Sequence, residues 1–208
     1  MWKISERNSE TGSTEVKRQM CKASISGEKR EIRKQVLALR DSLSDDERQR
    51  GNILVTEKIL GHQWYYGAEY LLLFANYRSE IDTSMILEDA LQKGKKVFLP
   101  KVEDGAMMFY RILSVKELTE GYKGIPEPAG DTDCYSGDET LAEKTLMIMP
   151  GAAFDVKRRR IGYGGGFYDR YLQDKPWMRT IAIGYKCQML EEIPTEDTDI
   201  RPGQVICL

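Results

Sequence analysis

Two apolar segments separated by an amphipathic one constrain the fold of this chain more strongly than any other feature. The first, YLLLFA at residues 70–75, is predicted to be a buried strand, and the second is KKVFLPKV at residues 95–102. Between them, DTSMILEDALQKG has the apolar spacing of a helix that starts at Asp82 or Thr83 and ends before Gly94. A helical crossover between two apolar strands predicts a parallel sheet with helices on its faces.

Further segments extend this sheet and place two helices before it. TLMIMP at residues 145–150 is apolar without alternation, as a strand buried on both faces requires. TIAIGY and QVIC are two more predicted strands, and AMMFYRI is predicted to be an antiparallel strand. Apolar spacing from Glu28 predicts a first helix, and a capping box of Ser44 and Glu47 predicts the start of a second. GYKGIPEP and the polar stretch after it, up to Glu143, are predicted to be loop.

Length and composition favour one α/β domain. The chain has 208 residues, of which 41% are hydrophobic, and this is enough to bury one core of ordinary size. Residues 1–27 are polar and lack periodicity, so we expect a flexible N-terminal extension there. We expect residues 28–208 to form the domain, with a mainly parallel sheet.

Charge, cysteine usage and apolar run length exclude several classes of protein. The 31 basic and 33 acidic residues leave a net charge of −2, which gives no general attraction to nucleic acid or membranes. The four cysteines form no CxxC pair, which indicates unpaired thiols in a reducing compartment. The single histidine, His62, is predicted to be a loop or packing residue. Because the sequence shows neither a signal peptide nor a membrane span, we expect a soluble, cytoplasmic protein.

The most informative motif is RRRIGYGGGFYDRYL at residues 158–172, which follows a predicted buried strand. Its glycines allow several backbone N–H groups to converge on an anion, and a helix predicted from Phe167 adds its positive end. Arg160 and the two arginines before it would supply charge to phosphate oxygens, and Asp169 suits a phosphate that carries Mg²⁺. Each feature alone fits a flexible basic connector, but together they favour a nucleotide or phosphate site.

This motif also resembles a family signature. MPGAAFDVKRRRIGYGGGFYDRYL at residues 149–172 is similar to the pattern PGxxFDxxGxRLGxGxGYYDxxL of the 5-formyltetrahydrofolate cyclo-ligase family. Three further blocks resemble the family in the expected order: KREIRKQVLALRDSLS, FANYRSEIDTSMILEDALQKGKKVFLPKV and GYKGIPEP. The resemblance covers residues 28–203. It implies a single three-layer α/β/α domain with the open α/β fold of that family.

The resemblance further implies an ATP- and Mg²⁺-dependent conversion of 5-formyltetrahydrofolate to 5,10-methenyltetrahydrofolate, with release of ADP and phosphate. ATP would phosphorylate the formyl oxygen, N10 of the folate would then attack the formyl carbon, and phosphate would leave. Such chemistry depends on positioning and charge stabilisation rather than on a protein nucleophile. The expected form is a monomer that acts on this small molecule, without nucleic-acid or membrane partners.

Individual residues receive roles from the same resemblance. It implies ATP contacts at Lys29, Arg33, Arg160, Gly162, Gly164, Gly165, Gly166, Phe167 and Tyr168. It implies folate contacts at Glu80, Tyr163, Gly164, Gly165, Gly166 and Phe167. Asp169 and Asp199 match magnesium positions, and Arg160, Tyr163 and Asp169 are the residues implied in catalysis. From local pattern alone, the basic residues of the first helix fit a solvated face, and Glu80 fits a charge near a helix N-terminus.

Three positions depart from the family pattern, and two other functions stay open. Arg158 stands where glycine is usual, Phe167 replaces a usual tyrosine, and Thr198 precedes Asp199 where many bacterial members have histidine. A sugar-phosphate isomerase-like enzyme on a similar fold would need an acid or base near the phosphate site but no ATP. A binding protein would hold nucleotide and folate without turnover.

Overall fold

The structure, a computed structural model, describes residues 9–130 and 132–208, with side chains described from residue 24 onward except that of Lys123. Its helices are α1 (Ser9–Asp41), α2 (Asp45–Leu60), α3 (Gln63–Gly67), α4 (Ser84–Gln92) and α5 (Phe167–Leu172). Its strands are β1 (Tyr70–Leu72), β2 (Lys96–Glu103), β3 (Ala106–Ile112), β4 (Leu118–Glu120), β5 (Pro126–Pro128), β6 (Thr145–Met149), β7 (Ala153–Asp155), β8 (Arg160–Ile161), β9 (Arg179–Gly184), β10 (Met189–Leu190) and β11 (Gln204–Cys207).

A six-stranded sheet of order β11-β9-β6-β1-β2-β3 forms the centre of the molecule. Neighbouring strands are parallel except β2 and β3, which pair antiparallel. β1 and β2 are parallel and α4 connects them, so the crossover predicted from the sequence is confirmed. Every residue of β6 is buried, as its unbroken apolar run predicts.

Helices cover both faces of this sheet. On one face, Leu71 and Ile148 belong to a core that also contains residues of α2 and α4. On the other face, Leu72 and Met147 belong to a core that contains residues of α5. Neighbouring residues of one strand thus enter different cores, because successive side chains of a strand point to opposite faces. The predicted three-layer α/β/α architecture with a mainly parallel sheet is confirmed.

A small three-stranded sheet of order β10-β7-β8 follows β6 along the chain and connects α1 to the rest of the domain. Val36 of α1 is buried together with Ala153, Ile161 and Ile193 of this region. This sheet is not predictable from the sequence pattern, because its strands are too short to show a period. Its position sets α1 beside the glycine-rich segment.

The structure corrects two predicted elements. The loop prediction for GYKGIPEP is wrong, since Pro126–Pro128 form β5, which pairs antiparallel with β4. Proline is tolerated there because, among the described residues, one edge of β5 in this two-stranded ribbon has no strand partner. The first predicted strand is shorter than expected, because β1 ends at Leu72 rather than Ala75.

The N-terminal region is more regular than its polar sequence suggests. α1 has 33 residues and begins at Ser9 rather than at the expected Glu28. Residues 1–8 of the predicted flexible extension lie outside the described residues, and the domain boundary at residue 28 stays a prediction. Despite the length of α1, none of the helices in the described ranges is both long and apolar enough to cross a membrane.

Candidate functional site

One face of α1 carries basic side chains toward the glycine loop, which we define as residues 162–166. Lys29, Arg33 and Val36 lie at helical spacing on this face, and Val36 is buried against the small sheet. Arg33 Nε donates a hydrogen bond to the carbonyl oxygen of Gly162 at 2.7 Å. The packing of Val36 therefore holds the cationic side chains of α1 at the loop.

A cleft of about 780 Å³ lies between α1, the glycine loop and the segment 196–199. Its lining residues are Ser26, Gly27, Lys29, Arg30, Arg33, Arg160, Ile161, Gly162, Gly164, Gly166, Asp169, Arg170, Gln173, Glu196, Thr198 and Asp199. The cations predicted to contact phosphate and the carboxylates predicted to contact magnesium therefore share one cavity, although they lie far apart in the sequence.

Ion pairs connect the cations of this cleft to its carboxylates. Lys29 Nζ lies 2.5 Å from Asp199 Oδ2 and 2.7 Å from Glu196 Oε2. Arg160 Nη2 donates to Asp169 Oδ1 at 2.9 Å. Both cations are buried, and these carboxylates offset the cost of removing their charge from water. The cations predicted to bind phosphate thus hold the carboxylates predicted to bind metal.

The glycine loop requires glycine at specific positions. Gly164 has a φ of +98° and Gly166 a φ of +63°, both in the region that side chains disfavour. A Cβ at Gly165 would lie 2.6 Å from the ring of Phe167. Side chains cannot be accommodated at these positions, and the loop therefore leaves its backbone open on the side of the cleft. The segment is not an unstructured connector.

Of the three consecutive arginines, Arg160 lines the cleft, whereas Arg158 and Arg159 do not. Arg158 Nη1 donates to the carbonyl oxygen of Gly203 at 2.5 Å. Arg159 pairs with the buried carboxylate of Asp155. Arg158 and Arg159 therefore lie outside the cleft with their guanidinium groups engaged elsewhere, and the supply of charge to a phosphate by Arg160 stays a prediction.

Glu80 and Tyr163 form a neighbouring cluster that does not line the cleft. The Glu80 carboxylate accepts a hydrogen bond from the Tyr77 backbone N–H at 2.8 Å, and the nearby Tyr163 hydroxyl donates to the carbonyl oxygen of Gly151 at 3.4 Å. Burial raises the pKa of Glu80, while the Tyr77 hydrogen bond and the charge of Arg40 act in the opposite direction. Tyr163 is 43% exposed, yet burial of its hydroxyl end and the charge of Glu80 raise the pKa of this tyrosine.

Phe167 and Tyr168, both predicted to contact ATP, also lie outside the cleft lining. The Phe167 ring packs edge-to-face against Tyr122, with 6.0 Å between centroids. The Tyr168 ring centroid lies 5.6 Å from the guanidinium carbon of Arg160. Tyr168 therefore contacts Arg160, which lines the cleft, whereas Phe167 faces the GYKGIPEP segment.

The carboxylates of the cleft suit Mg²⁺ better than they suit a metal ion that is coordinated only by protein ligands. Asp169 Oδ1 accepts a hydrogen bond from the backbone N–H of Ile200 at 3.2 Å, so the segment that carries Asp199 lies beside Asp169. In the part of the chain with described side chains, no group of three or more His, Cys, Asp and Glu residues is placed to hold a metal ion. Two carboxylates suit Mg²⁺, which keeps waters and takes phosphate oxygens.

Two residues of this region, Glu196 and Arg40, are not among those predicted from the sequence. Glu196 pairs with Lys29, and its backbone N–H donates to Asp199 Oδ2 at 2.7 Å. The close spacing of these two acidic residues could have indicated a shared partner. Arg40 lies further along the same face of α1 as Lys29 and Arg33, and this periodicity is the signal that could have identified it.

Comparison with known sequences identifies relatives of this chain. A sequence model of the 5-formyltetrahydrofolate cyclo-ligase family matches residues 25–207. The Mus musculus protein named 5-formyltetrahydrofolate cyclo-ligase is 28% identical over 199 residues, which covers 90% of this chain and 97% of the relative. The Escherichia coli protein of the same name is 30% identical over 166 residues, which covers 77% of this chain and 90% of the relative.

A solved structure shares the fold. The NMR structure of Aquifex aeolicus 5,10-methenyltetrahydrofolate synthetase matches with a TM-score of 0.75 at 29% sequence identity, covering 86% of this chain and 89% of that chain. The sequence match extends from α1 to β11 and includes the glycine loop and the cleft. The chain therefore belongs to the 5-formyltetrahydrofolate cyclo-ligase family.

Proposed function

We propose that this protein converts 5-formyltetrahydrofolate to 5,10-methenyltetrahydrofolate in an ATP- and Mg²⁺-dependent reaction that also yields ADP and phosphate. The observation that carries the proposal is the cleft that gathers Lys29, Arg33 and Arg160 with Asp169 and Asp199 beside the glycine loop. Family membership supports the same reaction, because the mouse and Escherichia coli relatives carry the name of this cyclo-ligase.

The basic residues of the cleft are the proposed binding groups for the triphosphate. Phosphate oxygens would replace Asp199 at Lys29 and Asp169 at Arg160, so that each cation exchanges one anionic partner for another. The two carboxylates would then be available to hold Mg²⁺. When bound there, the ion would neutralise part of the negative charge on the phosphate groups.

Glu80 and Tyr163 are the proposed binding groups for the folate. A carboxylate can accept two hydrogen bonds from the N–C–NH₂ edge of a pterin ring, and Glu80 is held in place by the Tyr77 N–H with the Tyr163 hydroxyl nearby. Tyr163 belongs to the same loop as Gly162 and Gly164, which line the cleft. The glycine loop would therefore contact both substrates and bring the formyl group to the triphosphate.

The proposed reaction requires charge stabilisation rather than a protein nucleophile. The formyl oxygen attacks the γ-phosphorus, and ADP leaves with the electrons of the broken P–O bond. N10 then attacks the formyl carbon and loses its proton, and phosphate leaves with the electrons of the C–O bond. Lys29, Arg33 and Arg160 would stabilise the charge on the transferred group. The described lining of the cleft contains neither cysteine nor histidine, which agrees with this chemistry.

Turnover of 5-formyltetrahydrofolate with Mg²⁺-ATP tests the proposal. The near-ultraviolet absorbance of the methenyl product and the release of ADP are followed together, and we expect both to rise in a one-to-one ratio. Release of ADP without methenyl product would keep the nucleotide site but assign another substrate. If folded protein gives neither signal, the proposal is overturned, and a binding protein or a sugar-phosphate isomerase-like enzyme is favoured.

We also propose that the protein acts as a monomer in the cytoplasm. The near balance of 31 basic and 33 acidic residues supports a protein without a nucleic-acid or membrane surface as partner. Light scattering coupled to size-exclusion chromatography would test the oligomeric state, and fractionation of cells would test the location.

A further inference from the structure

Arg40 is a buried cation near the end of α1 whose position the cleft does not explain. It is 5% exposed and is not among the residues that line the cleft. A buried guanidinium group is costly unless its N–H groups have partners. The partners of Arg40 therefore indicate its task.

Two directed hydrogen bonds connect Arg40 to two separate segments. Nε donates to Ser79 Oγ at 2.9 Å, and Nη1 donates to the Tyr163 hydroxyl oxygen at 2.6 Å. The Ser79 hydroxyl in turn donates to Asp41 Oδ1, next to Arg40 on α1. One planar guanidinium group thus ties the segment 77–80 to the glycine loop.

Each of these two segments carries a residue that we propose to contact folate. Glu80 follows Ser79 directly, its carboxylate accepts from the Tyr77 N–H, and its charge acts on the nearby Tyr163 hydroxyl. Arg78 has a φ of +54°, a conformation that side chains disfavour, so the turn at residues 77–80 requires restraint from outside. Arg40 supplies such a restraint through Ser79.

We propose that Arg40 is a positioning residue that holds the Glu80 turn and the Tyr163 side chain in one geometry, and thereby sets where the folate lies relative to the nucleotide cleft. The inference rests on the proposed function, because it assigns a task in the folate half of that site. Arginine suits this task since its planar group presents N–H donors in fixed directions, which a lysine ammonium does not.

A purely structural role for Arg40 would have different consequences. Loss of a structural cation would destabilise the domain and weaken the binding of both substrates to the same extent. Loss of a positioning residue weakens folate binding and turnover selectively, because Lys29 and Arg33 reach the cleft through contacts that do not involve Arg40.

Steady-state kinetics separate these two roles. Arg40→Lys keeps the charge and Arg40→Met removes it, and Arg48→Met is the matched control. Arg48 is also anchored near the end of α1, but it donates to the backbone oxygens of Leu43 and Asp41. We expect both Arg40 variants to raise the KM for 5-formyltetrahydrofolate and to lower kcat by about tenfold or more, with the KM for ATP within about twofold of wild type.

Equal increases in the two KM values would overturn the proposal, as would wild-type kinetics in both Arg40 variants. If Arg40→Met fails to fold, Arg40→Lys decides the question, because it retains the buried charge. A double-mutant cycle adds a second criterion: Arg40→Lys should cost less turnover in a Tyr163→Phe background than in the wild type. If the two substitutions lower turnover independently, so that their fold-changes multiply in the double variant, Arg40 does not act through the Tyr163 hydroxyl.

Hydrogen exchange provides a readout that does not depend on turnover. Backbone N–H groups of residues 77–80 and 162–166 should exchange faster in both Arg40 variants, and at the wild-type rate in Arg48→Met. If wild-type protein forms no methenyl product, the proposed function fails, and the exchange data still decide whether Arg40 connects the two segments. Backbone N–H exchange rates that stay at the wild-type values in both segments of the Arg40 variants would overturn the proposal that Arg40 connects them.

Discussion

Arg159 and Arg160 are neighbours in the sequence, and both form buried ion pairs, but the two pairs differ in how fully their hydrogen bonds are satisfied. The Asp155 carboxylate, which is 0% exposed, pairs with Arg159 at 2.5 Å. It also accepts from the backbone N–H groups of Lys157, Arg159 and Ile193. Although burial raises the pKa of Asp155, these hydrogen bonds and the Arg159 charge lower it below its ordinary value.

The pair in the cleft is incomplete by comparison. Arg160 Nε is buried without a hydrogen-bond partner among the described residues. Its partner Asp169 is 22% exposed and accepts on Oδ1 from Arg160 and from the Ile200 N–H. Unused donor and acceptor capacity therefore remains on both side chains, and both residues line the cleft.

The comparison shows that burial of an ion pair does not by itself reveal its role. A carboxylate with all its hydrogen bonds made, such as that of Asp155, stabilises one local arrangement and has no capacity left for a ligand. A pair with capacity left can exchange its partner for a phosphate or a metal ion. The two arginines differ because successive residues of an extended segment point to opposite sides.

The largest expected effect comes from breaking the saturated pair. Asp155→Asn should lower the free energy of unfolding by about 3–5 kcal/mol, because an amide would face buried N–H donors that the carboxylate now accepts, and Arg159 would keep only Glu192 as an ion-pair partner. Urea unfolding followed by circular dichroism measures this loss. Asp169→Asn is the matched control and should cost less, about 1–2 kcal/mol, because the asparagine Oδ1 can still accept from Arg160 and from the Ile200 N–H. Equal losses would mean that the two pairs do not differ as we describe.

Asp169→Asn should instead abolish function while the protein stays folded. We expect turnover to fall by about a hundredfold or more, since the cleft would lose a carboxylate proposed to hold Mg²⁺. Turnover is measured across a range of Mg²⁺ concentrations. Asp197→Asn changes an exposed carboxylate of the neighbouring segment and should leave turnover near wild type. Unchanged activity in Asp169→Asn would remove its proposed metal role.

Arg160→Ala should weaken ATP binding more than folate binding. Loss of hydrogen bonds from a charged donor to phosphate corresponds to an increase of about tenfold to a hundredfold in the Kd for ATP. Titration calorimetry with each substrate alone gives the two affinities. Arg170→Ala is a useful control, because Arg170 also lines the cleft but donates to the backbone of Gly165. A change in folate affinity alone would mean that the glycine loop is misassigned.

The smallest expected effect concerns the first arginine of the run. Arg158 has a φ of +61°, so the departure from glycine places a side chain in a disfavoured conformation. Arg158→Ala removes the hydrogen bond to Gly203 but keeps this strain, whereas Arg158→Gly removes both. The glycine variant should therefore be more stable than the alanine variant by about 1 kcal/mol in thermal or urea unfolding. Equal stability of the alanine and glycine variants would show that the turn at residue 158 accommodates a Cβ atom without strain.

Local sequence patterns predicted the regular elements well. The capping box of Ser44 and Glu47 starts α2, and Gly94 follows α4 with a φ of +72°. The unbroken apolar run of β6 matches its burial on both faces. These features were predictable because capping, turn conformation and burial period depend on residues close together in the chain.

Site prediction succeeded where a motif is contiguous and failed where partners come from distant segments. The glycine loop with Arg160 and Asp169 could be identified from one stretch of sequence. Arg40 could not, because its partners Ser79 and Tyr163 lie on two other segments. The pairing of β4 with β5 was missed because each strand has only three residues, too few to show a period.

The sequence by itself determined the α/β class, the parallel crossover, the family and the position of the glycine loop, since each of these depends on local pattern. Only the tertiary structure decided that Arg159 stabilises the small sheet while Arg160 lines the cleft, and that Lys29 meets Asp199 and Glu196. The role of a charged side chain depends on which distant groups satisfy its hydrogen bonds and on how much water it retains. Those quantities are set when the chain packs, and a run of identical arginines does not contain them.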